Sequence, residues 1–387
     1  MQKKGNNIGR WYAIFLALLP IVMAYKFPGV ESGFATVMIA LGLIPAFFII
    51  IRRLKYVNYA IVFLISMYLG YVITKAEGNS FLLPIAIVIH IASISTGAVN
   101  AESLRKYIEK ISVIAAICVI TQQIVHLFLG FHIPLMAPDL LIDDLKDYSI
   151  NILTGGAEVE SMYRPCAFFL EPAHFSQYVI YGLGSALFRN PSRIKEALII
   201  SLGLIATTSG MGFVLTFGIW GWWYLIYYTK GKKIARIRSS IICGIVIVVI
   251  LFLMMQIPFF AQIIARFTND GSSEYNAIDG RLIFWGKLFE DQSLSNLIFG
   301  YGEVALEDDI YYTGLMKILY AYGIVGTFFF YLFLLYLFFI TNKFSKTYVL
   351  SYIGLSFLAN LTGFIPIIFN IGVILVFDKI KFKNNLQ

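Results

Sequence analysis

Apolar runs long enough to cross a bilayer recur from one end of this chain to the other, and they leave few folds open. In hydrocarbon no water satisfies the backbone, so each such run must close its own hydrogen bonds, as a helix does. Composition agrees: 59% of the 387 residues are hydrophobic, only 13% are charged, and mean hydropathy is +0.78. The reading is an all-α polytopic integral membrane protein, a single membrane domain over 1–387 with about 11–12 transmembrane helices.

The expected spans lie at about 11–26, 33–51, 56–74, 80–98, 108–130, 166–188, 195–209, 211–228, 238–257 and 313–341. The segment 347–377 is too long for one span and contains Gly363 and Pro366, so it reads as a hairpin of two short helices. In 195–228 the chain must turn back within Thr207–Gly212. MQKKGNNIGR leads into an apolar run with no small-residue cleavage site, which reads as a first anchor helix.

Charge placement orients the spans. With the amino terminus inside, cytoplasmic segments hold 22 of the 30 basic residues and leave 8 for the other face. Such a skew follows the positive-inside rule and puts both termini in the cytoplasm. The formal charge of +8 then answers anionic membrane lipid, not nucleic acid. Cys118, Cys166 and Cys243 are widely spaced in apolar context and read as packing residues. No CxxC, HExxH or phosphate-cradling glycine loop occurs, so neither a metal nor a cofactor is expected.

Two long connections, 131–165 and 258–312, fall outside, and long loops on one side of a tight bundle are where function concentrates. The inner loops are short and basic, with no room for a nucleotide-binding domain. Most acidic residues of the outer loops read as a solvated surface. Arg164 and Arg281 do not: they oppose the charge bias beside apolar segments, where a guanidinium is costly unless it snorkels or meets an anion. Its planar fork suits phosphate or carboxylate.

The stretch RPCAFFLEPAHFSQYV, Arg164–Val179, gathers an arginine, a glutamate and a histidine at one membrane edge. Pro172 suits the first position of a helix, which predicts a helix from Pro172 to Phe188 and an irregular segment from Arg164 to Leu170. Irregular backbone at that depth is tolerated where it lines a cavity. Glu171 then lies at the helix N-terminus and His174 in its first turn, where the dipole favours anions. Structural readings compete with each: a helix cap for Glu171, its ion-pair partner for Arg164, a bundle hydrogen bond for His174. Their convergence favours function. His90, mid-span, reads as a hydrogen-bonded packing residue, and His126 and His132 carry no assigned role.

These residues resemble the Wzy-type polymerases of bacterial O-antigen and capsular polysaccharide, in the superfamily of the O-antigen ligases. Arg164-Pro-x-x-x-Phe-x-Glu171-Pro172-x-His174 resembles the family's Arg…Phe…Glu-Pro segment. GRLIFW (Gly280–Trp285) with LIFGYG (Leu297–Gly302) resembles its second-loop pattern. LMKILYAYGIVG (Leu315–Gly326) is similar to the helix that follows. Two positions differ from the pattern: no histidine precedes that helix, where EDDIYYTG stands, and Ser209-Gly210 stands where many members have Ser-Arg.

The resemblance implies a GT-C-like fold and a metal-free glycosyl transfer on the outer face of the bacterial cytoplasmic membrane. A glycan on undecaprenyl pyrophosphate passes to the terminal sugar of a new lipid-linked repeat unit. The implied partners are that lipid-linked oligosaccharide and membrane lipids; whether a chain-length regulator protein takes part stays open. The departing pyrophosphate needs cations or N–H groups: Arg164 and Arg281, with Arg266 in reserve. The general base is Glu171 or His174, with Asp308 and Asp309 behind them. Tyr163, Trp285, Tyr301, Tyr311 and Tyr312 are candidates to hold the glycan, against a plain role as interfacial anchors. The rivals are a ligase of the same superfamily, a lipid-linked oligosaccharide flippase, and a non-catalytic scaffold. A transporter predicts midplane charge and internal repeats, whereas the spans are poor in midplane charge and the sequence shows no clear repeat.

Overall fold

The computed structural model describes residues 6–27, 33–75, 81–136, 140–141, 163–189, 192–227, 244, 293–302, 312–358 and 363–380. Span 238–257, apart from residue 244, and most of both long loops lie outside them. The described residues form helices and no strands, apart from the isolated bridges Tyr25–Leu141 and Lys26–Gly33. The helices are α1 (Asn6–Val22), α2 (Phe34–Arg53), α3 (Tyr59–Thr74), α4 (Leu82–Ser95), α5 (Ala101–Leu129), α6 (Pro172–Phe188), α7 (Ile194–Ala206), α8 (Gly210–Tyr227), α9 (Leu294–Phe299), α10 (Gly314–Ile340), α11 (Lys343–Leu358) and α12 (Phe364–Phe377). The 347–377 region is a pair of helices, α11 and α12, and the 195–228 region is α7 and α8 joined at Thr207–Ser209.

Among the described residues, three helices, Phe34–Tyr56, Ala101–Leu129 and Gly314–Ile340, are long and apolar enough to cross a membrane. In α2 the buried residues Ala35, Ile39, Gly42, Ala46 and Ile49 follow a 4-3-4-3 spacing. Leu41, Ile44, Phe48 and Ile51 form a second, exposed stripe at the same helical period. A helix apolar on both faces, with one face unpacked, suits lipid and not water. Four shorter apolar helices accompany these among the described residues: Asn7–Val22, Tyr59–Thr74, Leu82–Ser95 and Phe364–Phe377.

The chain divides into two compact units. The first comprises 1–107, 140–142 and 280–380. Within it α12 packs on α1, α4 and α11, and α3 packs on α4 and α10. Every residue of α12 from Pro366 to Phe377 is buried, as expected for a helix apolar all round at the centre of a bundle. His90 on α4 is enclosed here. Its Nε2–H donates to the Ile39 carbonyl at 3.0 Å, and its Nδ1 accepts the Tyr12 hydroxyl. Both ring nitrogens are satisfied, so His90 is a packing residue in a fixed tautomer.

The second unit comprises 108–139, 143–279 and 381–387. Its central helix is α6, which packs on α7 and α8 and is buried from Phe175 to Leu187. α5 comes close to it at Gly182, where a Cβ would clash with the Ser112 side chain, so glycine permits the approach. At one end of this contact Glu109 is buried. Ser185 Oγ–H donates to its Oε1 at 2.6 Å, and Arg189 and Arg193 stand 3.5 and 3.6 Å from its Oε2.

Candidate functional site

Arg164–Leu170 has no regular secondary structure, and α6 begins at Pro172, as the proline dictates. One residue in this segment, Ala167, adopts φ 55°, a left-handed conformation that L-residues with a Cβ rarely hold. The buried amide of Gln122, on α5, supports it: Ala167 N–H donates to Gln122 Oε1 at 2.9 Å. The other end of the same amide donates from Nε2 to the Ile133 carbonyl at 2.8 Å. A second left-handed residue, Thr208 (φ 54°) in the α7–α8 turn, directs its hydroxyl to the Tyr163 carbonyl at 3.4 Å. Backbone outliers persist where the surroundings over-determine them, and they gather at ligand-binding places.

Around this segment stand four of the expected residues. Arg164 is exposed, while Glu171 and His174 are half-buried. Glu171 occupies the N-cap position of α6 with extended backbone (φ −144°), yet its side chain makes no capping hydrogen bond. The charge of Glu171 reaches His174 and Cys166, and that of Arg164 also reaches Cys166. His174 Nδ1 is enclosed without a hydrogen-bond partner.

Tyr163, 4% exposed, completes the group and brings two histidines that sequence reasoning left without a role. Its ring lies 4.5 Å from that of His126 and 4.6 Å from that of His132, and the two imidazoles stack at 4.8 Å. Burial, and secondarily the neighbouring Cys166, pushes the Tyr163 phenol up to about 12. Its hydroxyl, and Nδ1 of both histidines, are buried and unpartnered. Gln123 Oε1 on α5 and Gln177 Nε2 on α6 are in the same condition. Buried polar atoms are nearly always paired. Among the described residues, polar atoms without a protein partner stand here on His126, His132, Tyr163, His174, Gln123 and Gln177.

Gln122, Gln123 and Gln177 were missed in the sequence because an amide in an apolar run reads as tolerated polarity. Gln177 could have been found, since it follows His174 by three residues and shares its helical face.

The second resemblance segment lies in the first unit. Gly300 (φ 77°, ψ 163°) ends α9, and α10 breaks at Gly323 (φ 63°, ψ −168°). The break frees the carbonyls of Tyr320 and Ala321, and these accept Tyr301 N–H at 3.0 Å and Gly302 N–H at 2.9 Å. From α3, Tyr71 O–H donates to the Phe299 carbonyl and Lys75 Nζ to the Gly300 carbonyl. Tyr301 stacks on Tyr320 at 4.9 Å, and Tyr312 is buried 5.8 Å from the same ring. Arg266, Arg281, Trp285, Asp308, Asp309 and Tyr311 lie outside the described residues.

No protein-family model matches this chain, and no curated protein is similar to it.

Proposed function

We propose that this protein is a polymerase that joins undecaprenyl-pyrophosphate-linked oligosaccharide repeat units into an O-antigen or capsular polysaccharide. On this reading the bundle is a GT-C-like assembly of about 11–12 spans in the bacterial cytoplasmic membrane. Both termini are cytoplasmic, and both long loops lie on the outer face, where the reaction takes place.

One observation carries the reading: an exposed arginine on a strained, tethered segment beside a helix start that bears Glu171 and His174. The order of the three resemblance segments supports it further. In the reaction, the acceptor sugar's hydroxyl oxygen bonds to the anomeric carbon of the growing glycan as the bond from that carbon to the pyrophosphate oxygen breaks. The electron pair leaves with the pyrophosphate. Arg164, with Arg281 and with Arg266 in reserve, meets that developing charge, which is electrostatic stabilisation without proton transfer. Glu171 or His174 takes the hydroxyl proton, with Asp308 and Asp309 behind them. The unpartnered atoms of Tyr163, Gln123 and Gln177 would bind sugar hydroxyls.

The test is a surface-glycan ladder in a strain that lacks the gene. Wild-type protein restores polymer, whereas Arg164→Ala and Arg281→Ala leave single repeats on the surface. Variants that insert normally and still give full-length ladders would sink the reading. Repeat units trapped inside the null strain would identify a flippase, and full-length polymer left unattached to its final acceptor a ligase.

A further inference from the structure

Gln122, on α5, ties the Arg164–Leu170 segment to the chain that leaves α5, with one end of its amide bonded to each. It is 1% exposed, accepts from Ala167 N–H at 2.9 Å and donates to the Ile133 carbonyl at 2.8 Å. Ala167 is the left-handed residue of the segment, and Ile133 lies three residues past Gly130, where the chain leaves α5. One planar group thus sets two non-helical strands of chain against each other. It does so within the fold, where a misplaced amide has no water to bond instead.

We infer that Gln122 is a positioning residue: by holding Ala167 in its left-handed conformation it fixes the backbone that carries Arg164. This rests on the polymerase reading for its catalytic consequence, though not for its geometry. A leucine fills similar volume but breaks both bonds, freeing Ala167 to relax to an ordinary φ and Arg164 to move with it. Glutamic acid, neutral in so buried a place, keeps the acceptor for Ala167 N–H and offers its O–H to the Ile133 carbonyl. Displacements of about 1 Å at a charge-stabilising group cost up to about 10²-fold in rate, and they do so in kcat where the group acts in the transition state.

The experiment uses the full chain in proteoliposomes with a lipid-linked repeat unit, and compares wild type, Gln122→Leu and Gln122→Glu. Hydrogen exchange is followed in the peptide over 163–171, and turnover in parallel. Gln122→Leu is expected to speed exchange at Ala167 and lower kcat at least tenfold with KM changed less than twofold. Gln122→Glu is expected to keep both the protection and most of the turnover. Unchanged exchange in Gln122→Leu overturns the tether. Faster exchange with wild-type kcat overturns the positioning role. So does an equal loss of turnover and thermal stability in both variants, which marks a residue that only holds the fold. A wild-type protein that forms no polymer sinks the polymerase reading, while the exchange difference still decides the tether.

Discussion

Gly300 and Gly323 meet backbone against backbone: a Cβ on either would lie 2.6 Å from the main-chain nitrogen of the other. Each also holds a combination of positive φ and extended ψ that is open to essentially no residue but glycine. Two glycines far apart in sequence therefore make one joint, at which a broken helix hands its free carbonyls to the chain after α9. Gly323→Ala combines a backbone penalty with a clash and should cost about 2–4 kcal/mol. A fall in the unfolding temperature of detergent-solubilised protein checks this, and an unchanged temperature would refute the joint.

Tyr163→Phe removes a buried hydroxyl that has no partner. Stability should stay level or rise by about 1 kcal/mol, because an unsatisfied polar group is lost with little change of shape. Turnover should fall if that hydroxyl binds sugar. Stability and activity moving together would count against a binding role.

The same phenol gives a pH signature. Its folded value, raised from 10.0 to about 12, exceeds the unfolded one, so its contribution to stability is present below pH 10 and is lost as pH rises towards 12. Wild-type protein should lose more stability than Tyr163→Phe across that window. Parallel curves in alkaline denaturation would remove Tyr163 from the account.

Glu109→Gln removes the buried negative charge that Arg189 and Arg193 face, while its amide oxygen can still accept from Ser185 Oγ–H. Loss of one partner from a buried ion cluster costs about 3–5 kcal/mol, and the lower end applies because Arg193 is 43% exposed. The double variant Glu109→Gln, Arg189→Gln should recover part of the loss. Additive losses would show that the residues act independently.

Arg164→Lys keeps the charge and loses the planar fork. A guanidinium that grips pyrophosphate through two oxygens is poorly replaced by an ammonium, so polymer should stay below about one-tenth of the wild-type amount. Full polymer from Arg164→Lys would reduce the role of Arg164 to its charge.

Much of the helical layout could be read from sequence, because apolar length and proline position act locally. Pro172 marks the start of α6, Gly363 the N-cap of α12 with Pro366 in its first turn, and Thr207–Ser209 the turn between α7 and α8. The cluster of Arg164, Glu171 and His174 was also visible, since all three lie within eleven residues of chain. His126, His132 and Gln122 were not, because what distinguishes them is whom they meet. The imidazoles gain meaning from a tyrosine over 30 residues away, and the amide from a carbonyl and an N–H on two separate segments.

Hydrophobicity alone determined that the described residues are apolar helices, because runs long enough to cross a bilayer must close their own backbone hydrogen bonds. Tertiary structure decided which glycines form a joint, which buried atoms stay unpaired, and that Glu171 starts α6 without capping it. Those outcomes depend on the close approach of segments distant in sequence, and local propensity carries no information about that approach.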